Sequence, residues 1–184
     1  MSPSDQKNLL TLARQTIGQE LGLNKDPDLG PFSNAKFQEK RGVFVTLEIE
    51  KNLRGCIGNI VPTYPLIEAV QKNAFAAAFE DPRFNPLSAE EFPKITIEIS
   101  LLTVPKALAF SSPEDLCKKL RPKIDGVVLQ KGWQSATFLP QVWEDLPDPE
   151  TFLSHLSAKA GLPPDAWKEA EIEIYQVEKF KEES

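Results

Sequence analysis

The strict alternation of apolar and polar residues in two stretches is the feature that most constrains this fold. Residues 43–49 and 94–104 place aliphatic side chains at every second position, with mostly polar side chains between them. Because successive side chains of a strand point to opposite faces, each stretch predicts a strand with one buried face. The polar opposite faces favour antiparallel sheets over parallel sheets, which are buried on both faces.

The same order of elements is predicted twice along the chain. A hairpin, a proline-opened helix and an alternating strand follow one another in residues 42–102 and again in residues 126–177. This repetition predicts an α+β fold of antiparallel sheets with flanking helices, two subdomains and an internal duplication of a ββαβ-type unit. Similar turn and cap residues could also arise in the two halves without common ancestry.

The ends of the elements are predicted from cap and turn residues. Ser4 is the predicted cap of an N-terminal helix, and Ser112 is the predicted cap of a short helix that carries Cys117 on its buried face. Residues 171–178 are predicted as the last strand, with isoleucines on one face and charged residues on the other.

The charge of the chain excludes several classes of partner. Its net charge over 184 residues is −6 and its pI is near 5.0, whereas binding to nucleic-acid phosphates or an anionic membrane surface needs a basic patch. No apolar run reaches the ~20 residues that span a bilayer, and two cysteines make no disulfide framework. We therefore expect a cytoplasmic protein with no nucleic-acid partner and no membrane association.

The first candidate for a functional site is Leu-Arg-Gly-Cys-Ile-Gly at residues 53–58. In a strand, Arg54 and Cys56 would project from one face, and a guanidinium beside a thiol favours the nucleophilic thiolate. Gly55 and Gly58 leave space for a ligand or for another backbone. Free cysteine is also among the most buried residue types, so a Cys56 that only packs is the alternative.

The second candidate is the loop Asp81-Pro82-Arg83-Phe84, which carries both charges, an aromatic ring and a stiff backbone. Its alternative is a helix-terminating turn in which Asp81 pairs with Arg83 or accepts from backbone amides. His155 is the only histidine and is predicted to be exposed beside the apolar stripe of its helix. Because the chain lacks the ligands for a zinc or two-histidine iron site, we expect no metal and no cofactor.

Several longer stretches resemble the AMMECR domain family. In order, they are LRGCIGNI, NAFAAAFEDPRFNPL, IEISLLT, DGVVL and ATFLPQVWEDLPDPETFLSHLSAKAGL, and the resemblance extends from about Leu9 to Tyr175. The family implies one α+β domain over residues 1–184 with a cleft between two subdomains. The larger subdomain would come from both chain ends, about 1–45 and 95–184, and the smaller from the middle, about 46–94.

The resemblance also implies which residues form the site. Carried over position by position, it selects Arg54, Gly55, Cys56, Gly58, Asn73, Asp81, Arg83 and Phe84. It names no reaction. In prokaryotes such proteins resemble one part of a trio with a Memo-like protein and a radical-SAM enzyme, which implies these two as pathway partners.

Two functions of different classes are consistent with these residues. In the first, Cys56 is a nucleophile that Arg54 and Asp81 assist, and the ligand is a small anionic or polar substrate, or a peptide, in the cleft. The remaining residues would bind that ligand: Gly55, Gly58, Asn73, Arg83 and Phe84. In the second, the protein is a non-catalytic protein–protein interaction module and Cys56 only packs. Thiol reactivity separates the two, since a packed cysteine resists alkylation.

Overall fold

The structure is a computed structural model that describes residues 1–23 and 25–183. Its α-helices are α1 (Pro3–Glu20), α2 (Leu66–Phe79), α3 (Pro113–Lys119) and α4 (Pro149–Lys159). Its strands are β1 (Val43–Ile49), β2 (Asn52–Asn59), β3 (Ile95–Leu102), β4 (Lys106–Ala107), β5 (Gly126–Lys131), β6 (Gln134–Phe138), β7 (Glu171–Tyr175) and β8 (Val177–Lys181). Short 3₁₀ segments occur at Gly30–Phe32, Ala35–Phe37, Phe92–Lys94, Pro140–Glu144 and Ala166–Glu169.

The first sheet has the strand order β2-β1-β3-β8, and β1 pairs antiparallel with both β2 and β3. The predicted alternation of β1 is present, because Val43, Val45 and Leu47 are fully buried in the hydrophobic core. Helices α1 and α2 pack on this sheet and supply much of the same core, and the alanine-rich face of α2 lets its backbone lie close to the sheet. The outer strand is β2, which carries the cysteine motif.

The second sheet has the strand order β4-β7-β5-β6, again with antiparallel pairs. Its core contains the indole of Trp143, which stacks on the ring of Phe152 with a centroid separation of 3.7 Å. The indole nitrogen donates to the backbone oxygen of Asp125 at 2.7 Å, so the buried polar atom of this large side chain is satisfied. Helix α4 packs through Phe152, Leu153 and Leu156 in a core to which β5 and β7 of this sheet contribute Val127, Leu129 and Ile172.

The predicted fold class is confirmed, because the chain forms antiparallel sheets with flanking helices. In each half the first hairpin strand lies between the second hairpin strand and the strand that follows the helix, as β2-β1-β3 and as β6-β5-β7. Both halves thus share one order of elements. Descent of the two halves from one duplicated segment stays a prediction.

Contacts between residues that are close in space divide the chain into two compact units. The first contains Met1–Leu102 and Glu178–Ser184, and the second contains Thr103–Val177. The first unit keeps residues 1–102 together, whereas the family resemblance implies a separate middle subdomain at about 46–94. The strands at the two ends of that middle segment, β1 and β3, pair with each other and belong to one sheet. The subdomains and cleft implied by the family resemblance stay predictions. No α-helix in residues 1–23 and 25–183 has the length and apolarity needed to cross a membrane.

Two predicted boundaries are wrong. The cap of α1 is Ser2, whose side chain accepts from the backbone N–H of Asp5, and Ser4 lies inside the helix. Pro3 explains the difference, because proline is favoured at the first helical position after the cap. The predicted last strand is two strands, β7 and β8, which belong to different sheets. The break is at Gln176, whose N–H donates to Thr103 Oγ1 at 2.8 Å and whose carbonyl accepts from the Thr103 N–H.

Candidate functional site

A tight turn and a bulge shape the hairpin that carries the cysteine motif. The turn residues Glu50 and Lys51 both have positive φ, 51° and 66°, which is the pattern of a type I′ hairpin turn. Further along, Leu47 pairs with Gly55 while Glu48 pairs with Leu53, so Arg54 is an extra residue without a partner on β1. Simple two-residue alternation, the premise for placing Arg54 and Cys56 on one face, therefore does not hold across this segment.

Cys56 lies directly opposite Thr46 on β1. The Thr46 hydroxyl donates to the Cys56 sulfur across 3.2 Å, and the cysteine is partly buried. The backbone N–H of Cys56 donates to Asp81 Oδ2 at 2.9 Å instead of to β1. This is the geometry of a non-hydrogen-bonded pair, in which opposing side chains approach most closely and the backbone groups point away from the partner strand.

Asp81 follows the end of α2, and its carboxylate accepts a hydrogen bond from the outward-facing backbone of β2. Its carboxylate accepts four hydrogen bonds: from the Cys56 N–H, and from the Arg83 backbone N–H, Nε and Nη2 at 3.1, 2.9 and 2.6 Å. The hydrogen bond from the Arg83 guanidinium holds the pKa of Asp81 far below its usual range, although burial acts in the opposite direction. Asp81 is therefore an ionised carboxylate that positions other groups and has no proton to give near neutral pH.

Arg83 is the exposed member of this pair. Its side chain is 54% exposed, while that of Asp81 is 2% exposed. Nη2 of Arg83 also approaches the backbone oxygen of Cys56 at 3.4 Å, so Asp81 and Arg83 together contact both outward-facing backbone groups of the cysteine. The bond to Asp81 raises the pKa of Arg83, and the negative charge of an ionised Cys56 raises that pKa further.

Arg54 is paired with Glu91, which is not part of either sequence motif. Its Nε and Nη2 donate to the two oxygens of the Glu91 carboxylate at 2.8 and 3.0 Å, and Nη2 also donates to the backbone oxygen of Asn85. This pairing with Arg54, helped by Ser88, lowers the pKa of Glu91 to about 2. Nη1 of Arg54 is buried and has no hydrogen-bond partner in the described part of the chain.

The ring of Phe84 joins the two arginines. The guanidinium carbons of Arg54 and Arg83 lie 5.7 and 5.5 Å from its centroid, within the range of cation–π contacts. The structure thus brings together five of the predicted site residues, namely Arg54, Cys56, Asp81, Arg83 and Phe84, through direct contacts. We call these five residues, with Thr46 and Glu91, the β2-edge cluster.

The other three predicted residues have structural contacts: Gly55 and Gly58 allow close packing, and Asn73 makes hydrogen bonds. A Cβ atom on Gly55 would lie 2.1 Å from the backbone oxygen of Ala77, so this glycine lets α2 approach the sheet. A Cβ atom on Gly58 would lie 2.3 Å from the ring of Phe44. Asn73 is buried and donates to the backbone oxygen of Val43 and to the side-chain oxygen of Asn59 at 3.0 and 2.8 Å. Roles for these residues in binding a ligand stay predictions.

Thr46 and Glu91 were not selected from the sequence. Thr46 could have been found from the hairpin register, since placing the turn at residues 50–51 sets it opposite Cys56. The sequence around Glu91 contains no comparable signal. Its partner Arg54 is 37 residues away, and the loop between α2 and β3 brings the two together.

Cys117 and His155 lie outside this cluster. Cys117 was predicted to lie on the buried face of α3; it packs against the core of the second sheet and is partly buried. Burial raises the pKa of its thiol, and Glu150, Asp148 and Glu114 raise it further. His155 is exposed on α4. Within residues 1–23 and 25–183, no three His, Cys, Asp or Glu side chains are placed to hold a metal ion.

Comparison with known proteins relates the whole chain to one family. The family model described as AMMECR1 matches residues 10–180. A protein from Methanothermobacter thermautotrophicus is 40% identical over 177 residues, which cover 96% of this chain and 92% of the relative. Protein MJ0810 from Methanocaldococcus jannaschii is 43% identical over 149 residues, or 77% of this chain and 72% of the relative.

A solved structure has the same fold. The crystal structure of uncharacterized protein PH0010 from Pyrococcus horikoshii is similar with a TM-score of 0.79 and 37% sequence identity. The similarity covers 100% of this chain and 94% of the PH0010 chain.

Proposed function

This chain belongs to the AMMECR1 family, and from the geometry of its β2-edge cluster we propose that it binds a small polar ligand and uses Cys56 as a nucleophilic thiol. The observation that carries the proposal is the 3.2 Å contact from the Thr46 hydroxyl to the Cys56 sulfur. A hydroxyl that donates to sulfur favours the thiolate, which is the reactive form. Cys56 is only partly buried, and access of a small reagent to its sulfur is part of the proposal.

The other members of the cluster have supporting roles in this proposal. Arg83 presents an exposed guanidinium next to Cys56, with its Nη2 at 3.4 Å from the cysteine backbone oxygen. Asp81 positions Arg83 and the Cys56 backbone through its four hydrogen bonds, so it acts through other groups rather than on the ligand. Arg54 is held by Glu91 and contributes through its contact with Phe84.

A second candidate function is the non-catalytic interaction module. The observation in its favour is a set of exposed apolar side chains on β2 and just after it. Leu53, Val61 and Tyr64 are 45%, 71% and 37% exposed. In that case the β2-edge cluster would stabilise the edge strand for a protein partner, and Cys56 would only pack.

Location and pathway partners are part of the proposal. Both cysteines are free, which suits the reducing cytoplasm. A Memo-like protein and a radical-SAM enzyme are the partners that the family resemblance implies, and no nucleic-acid partner is proposed for a chain of net charge −6.

Mild alkylation followed by mass mapping of the two cysteines tests the proposed function. We expect iodoacetamide near neutral pH to label Cys56 before Cys117, because burial and nearby acidic groups raise the pKa of the Cys117 thiol. The matched variant is Thr46→Val, which keeps the side-chain shape and removes the hydroxyl. A hydrogen bond to a charged group contributes about 1.5–3 kcal/mol, and the higher nucleophilicity of a more basic thiolate offsets nearly half of this. Labelling of Cys56 should therefore slow about fourfold or more, while Cys117 is unchanged.

Two results would contradict the thiol proposal. One is labelling of Cys117 first, and the other is labelling of Cys56 only after unfolding. Either result would assign Cys56 to packing and support the interaction module.

A further inference from the structure

The charges of the β2-edge cluster are paired. Arg54 is held by Glu91 at 2.8 Å, and Arg83 is held by Asp81 at 2.6 Å. Two guanidinium groups are thus matched by two carboxylates before any ligand is present. An ionised Cys56 gives the cluster one net negative charge.

The surrounding loop adds to the negative charge. Residues 80–91 contain four carboxylates, those of Glu80, Asp81, Glu90 and Glu91, and a single arginine, Arg83. With Arg54 included, four negative charges face two positive charges, a net charge of −2 without the thiolate. Glu80 and Glu90 are both exposed, so their charges contribute to the field on the solvent side of this loop.

Hydrogen-bond donors remain free despite this pairing. The bonds of the Arg83 side chain use Nε and Nη2, and Nη1 takes part in none of the hydrogen bonds of the described residues. Nη1 of Arg54 is also without a partner there and is buried. A guanidinium has only donors, so the group that it can still bind is a hydrogen-bond acceptor.

From the charge balance and the free donors we infer that the ligand of this site is an uncharged polar molecule with a carbonyl-type oxygen that accepts from Arg83 Nη1. The inference rests on the proposed function and names its substrate class. It selects the polar alternative over the anionic one, because a carboxylate or phosphate would be placed among uncompensated negative charges. An amide or similar carbonyl satisfies the free N–H without adding charge.

Two alkylating reagents that differ mainly in charge test this inference. Iodoacetamide is neutral and iodoacetate is anionic, and in both the thiolate forms a C–S bond as iodide leaves. The quantity measured is the iodoacetamide rate at Cys56 divided by the iodoacetate rate. This ratio is then divided by the same ratio for N-acetylcysteine methylamide, a neutral model thiol. We expect this normalised ratio to be about threefold or more in favour of iodoacetamide at low salt, and to approach one at high salt.

Two variants separate the charge effect from the hydrogen bond. Glu90→Gln removes one exposed negative charge and is expected to lower the normalised ratio, because the iodoacetate rate at Cys56 should rise more than the iodoacetamide rate. Arg83→Lys keeps the positive charge and removes the planar set of donors, so it should slow iodoacetamide more than iodoacetate.

The outcomes distinguish this inference from the proposed function. If neither reagent labels Cys56 in the folded protein, the proposed function is wrong and the inference fails with it. If both reagents label Cys56 and the normalised ratio is one or favours iodoacetate, the thiol is reactive but the ligand class is wrong. A ratio favouring iodoacetamide that persists at high salt and in Glu90→Gln would also overturn the charge argument.

Discussion

Replacing Asp81 tests whether the β2-edge cluster stabilises the fold as its hydrogen bonds indicate. In Asp81→Ala the Cys56 N–H loses its acceptor and Arg83 loses its partner. A polar group left without a partner costs about 1–3 kcal/mol, and loss of an ion pair with one exposed member costs up to about 1 kcal/mol more. We therefore expect the free energy of unfolding to fall by about 1–4 kcal/mol. Asp81→Asn keeps one acceptor oxygen, so its free energy of unfolding should decrease by about half as much.

The pH dependence of this loss provides a second measurement. The folded pKa of Asp81 is depressed, so its charge stabilises the protein fully above the unfolded value of about 3.9. That contribution declines as the pH falls below this value toward the folded pKa. The difference between the wild type and Asp81→Asn should therefore be largest at pH 6–7, which is about where the unfolded carboxyl is fully ionised, and should shrink near pH 3.

Urea unfolding followed by circular dichroism at 222 nm is the suitable assay. Helices α1 and α2 contain 18 and 14 residues and belong to the unit that carries Asp81, so they dominate the helical signal. The matched control is Glu80→Gln, an exposed neighbour whose replacement should change stability by less than about 0.5 kcal/mol. A loss below about 1 kcal/mol in Asp81→Ala, or a loss independent of pH, would refute the structural role assigned to this carboxylate.

Two further predictions concern the same hairpin. The double change Glu50→Asn with Lys51→Gly should raise the free energy of unfolding by about 1–2 kcal/mol, because both residues adopt a left-handed backbone that side chains disfavour; an unchanged or lower stability in the urea assay would contradict this. Gly55→Ala should lower stability by about 2 kcal/mol or more, since its Cβ would lie 2.1 Å from a backbone oxygen of α2. Gly30→Ala, whose Cβ would meet only the flexible Asp28 side chain, is the control; equal effects of the two changes would show that α2 can move away.

Local patterns in the sequence determined most of the first sheet and its helix. The alternation of β1 and β3 predicted which side chains are buried, and Pro65 and Ser112 marked the starts of α2 and α3 correctly. These predictions hold because strand alternation and helix caps depend on residues within a few positions of one another. The order of hairpin, helix and strand in each half was predicted from the sequence for the same reason.

The site depended on contacts that no local pattern encodes. The bulge that leaves Arg54 without a partner on β1 arises where two strands of the hairpin are brought into register. Glu91 reaches Arg54 from 37 positions away, and Asp81 reaches the Cys56 N–H from 25 positions away. Sequence resemblance selected most members of the cluster, and the turn in which Asp81 pairs with Arg83 was one of the two sequence predictions for that loop. The pairing of Arg54 with Glu91 was not predicted.

The pairing of Arg54 is thus the property that only the tertiary structure decided. In the sequence, Arg54 beside Cys56 suggested a free cation for a thiolate or an anionic substrate. In the folded protein, both arginines of the cluster are bound to carboxylates. The reason is physical, because a charged side chain that loses water on folding, such as Arg54 or Asp81, needs a partner of opposite charge. For Asp81 that partner is two positions away in the sequence, whereas for Arg54 it comes from a distant segment that the fold brings within about 3 Å.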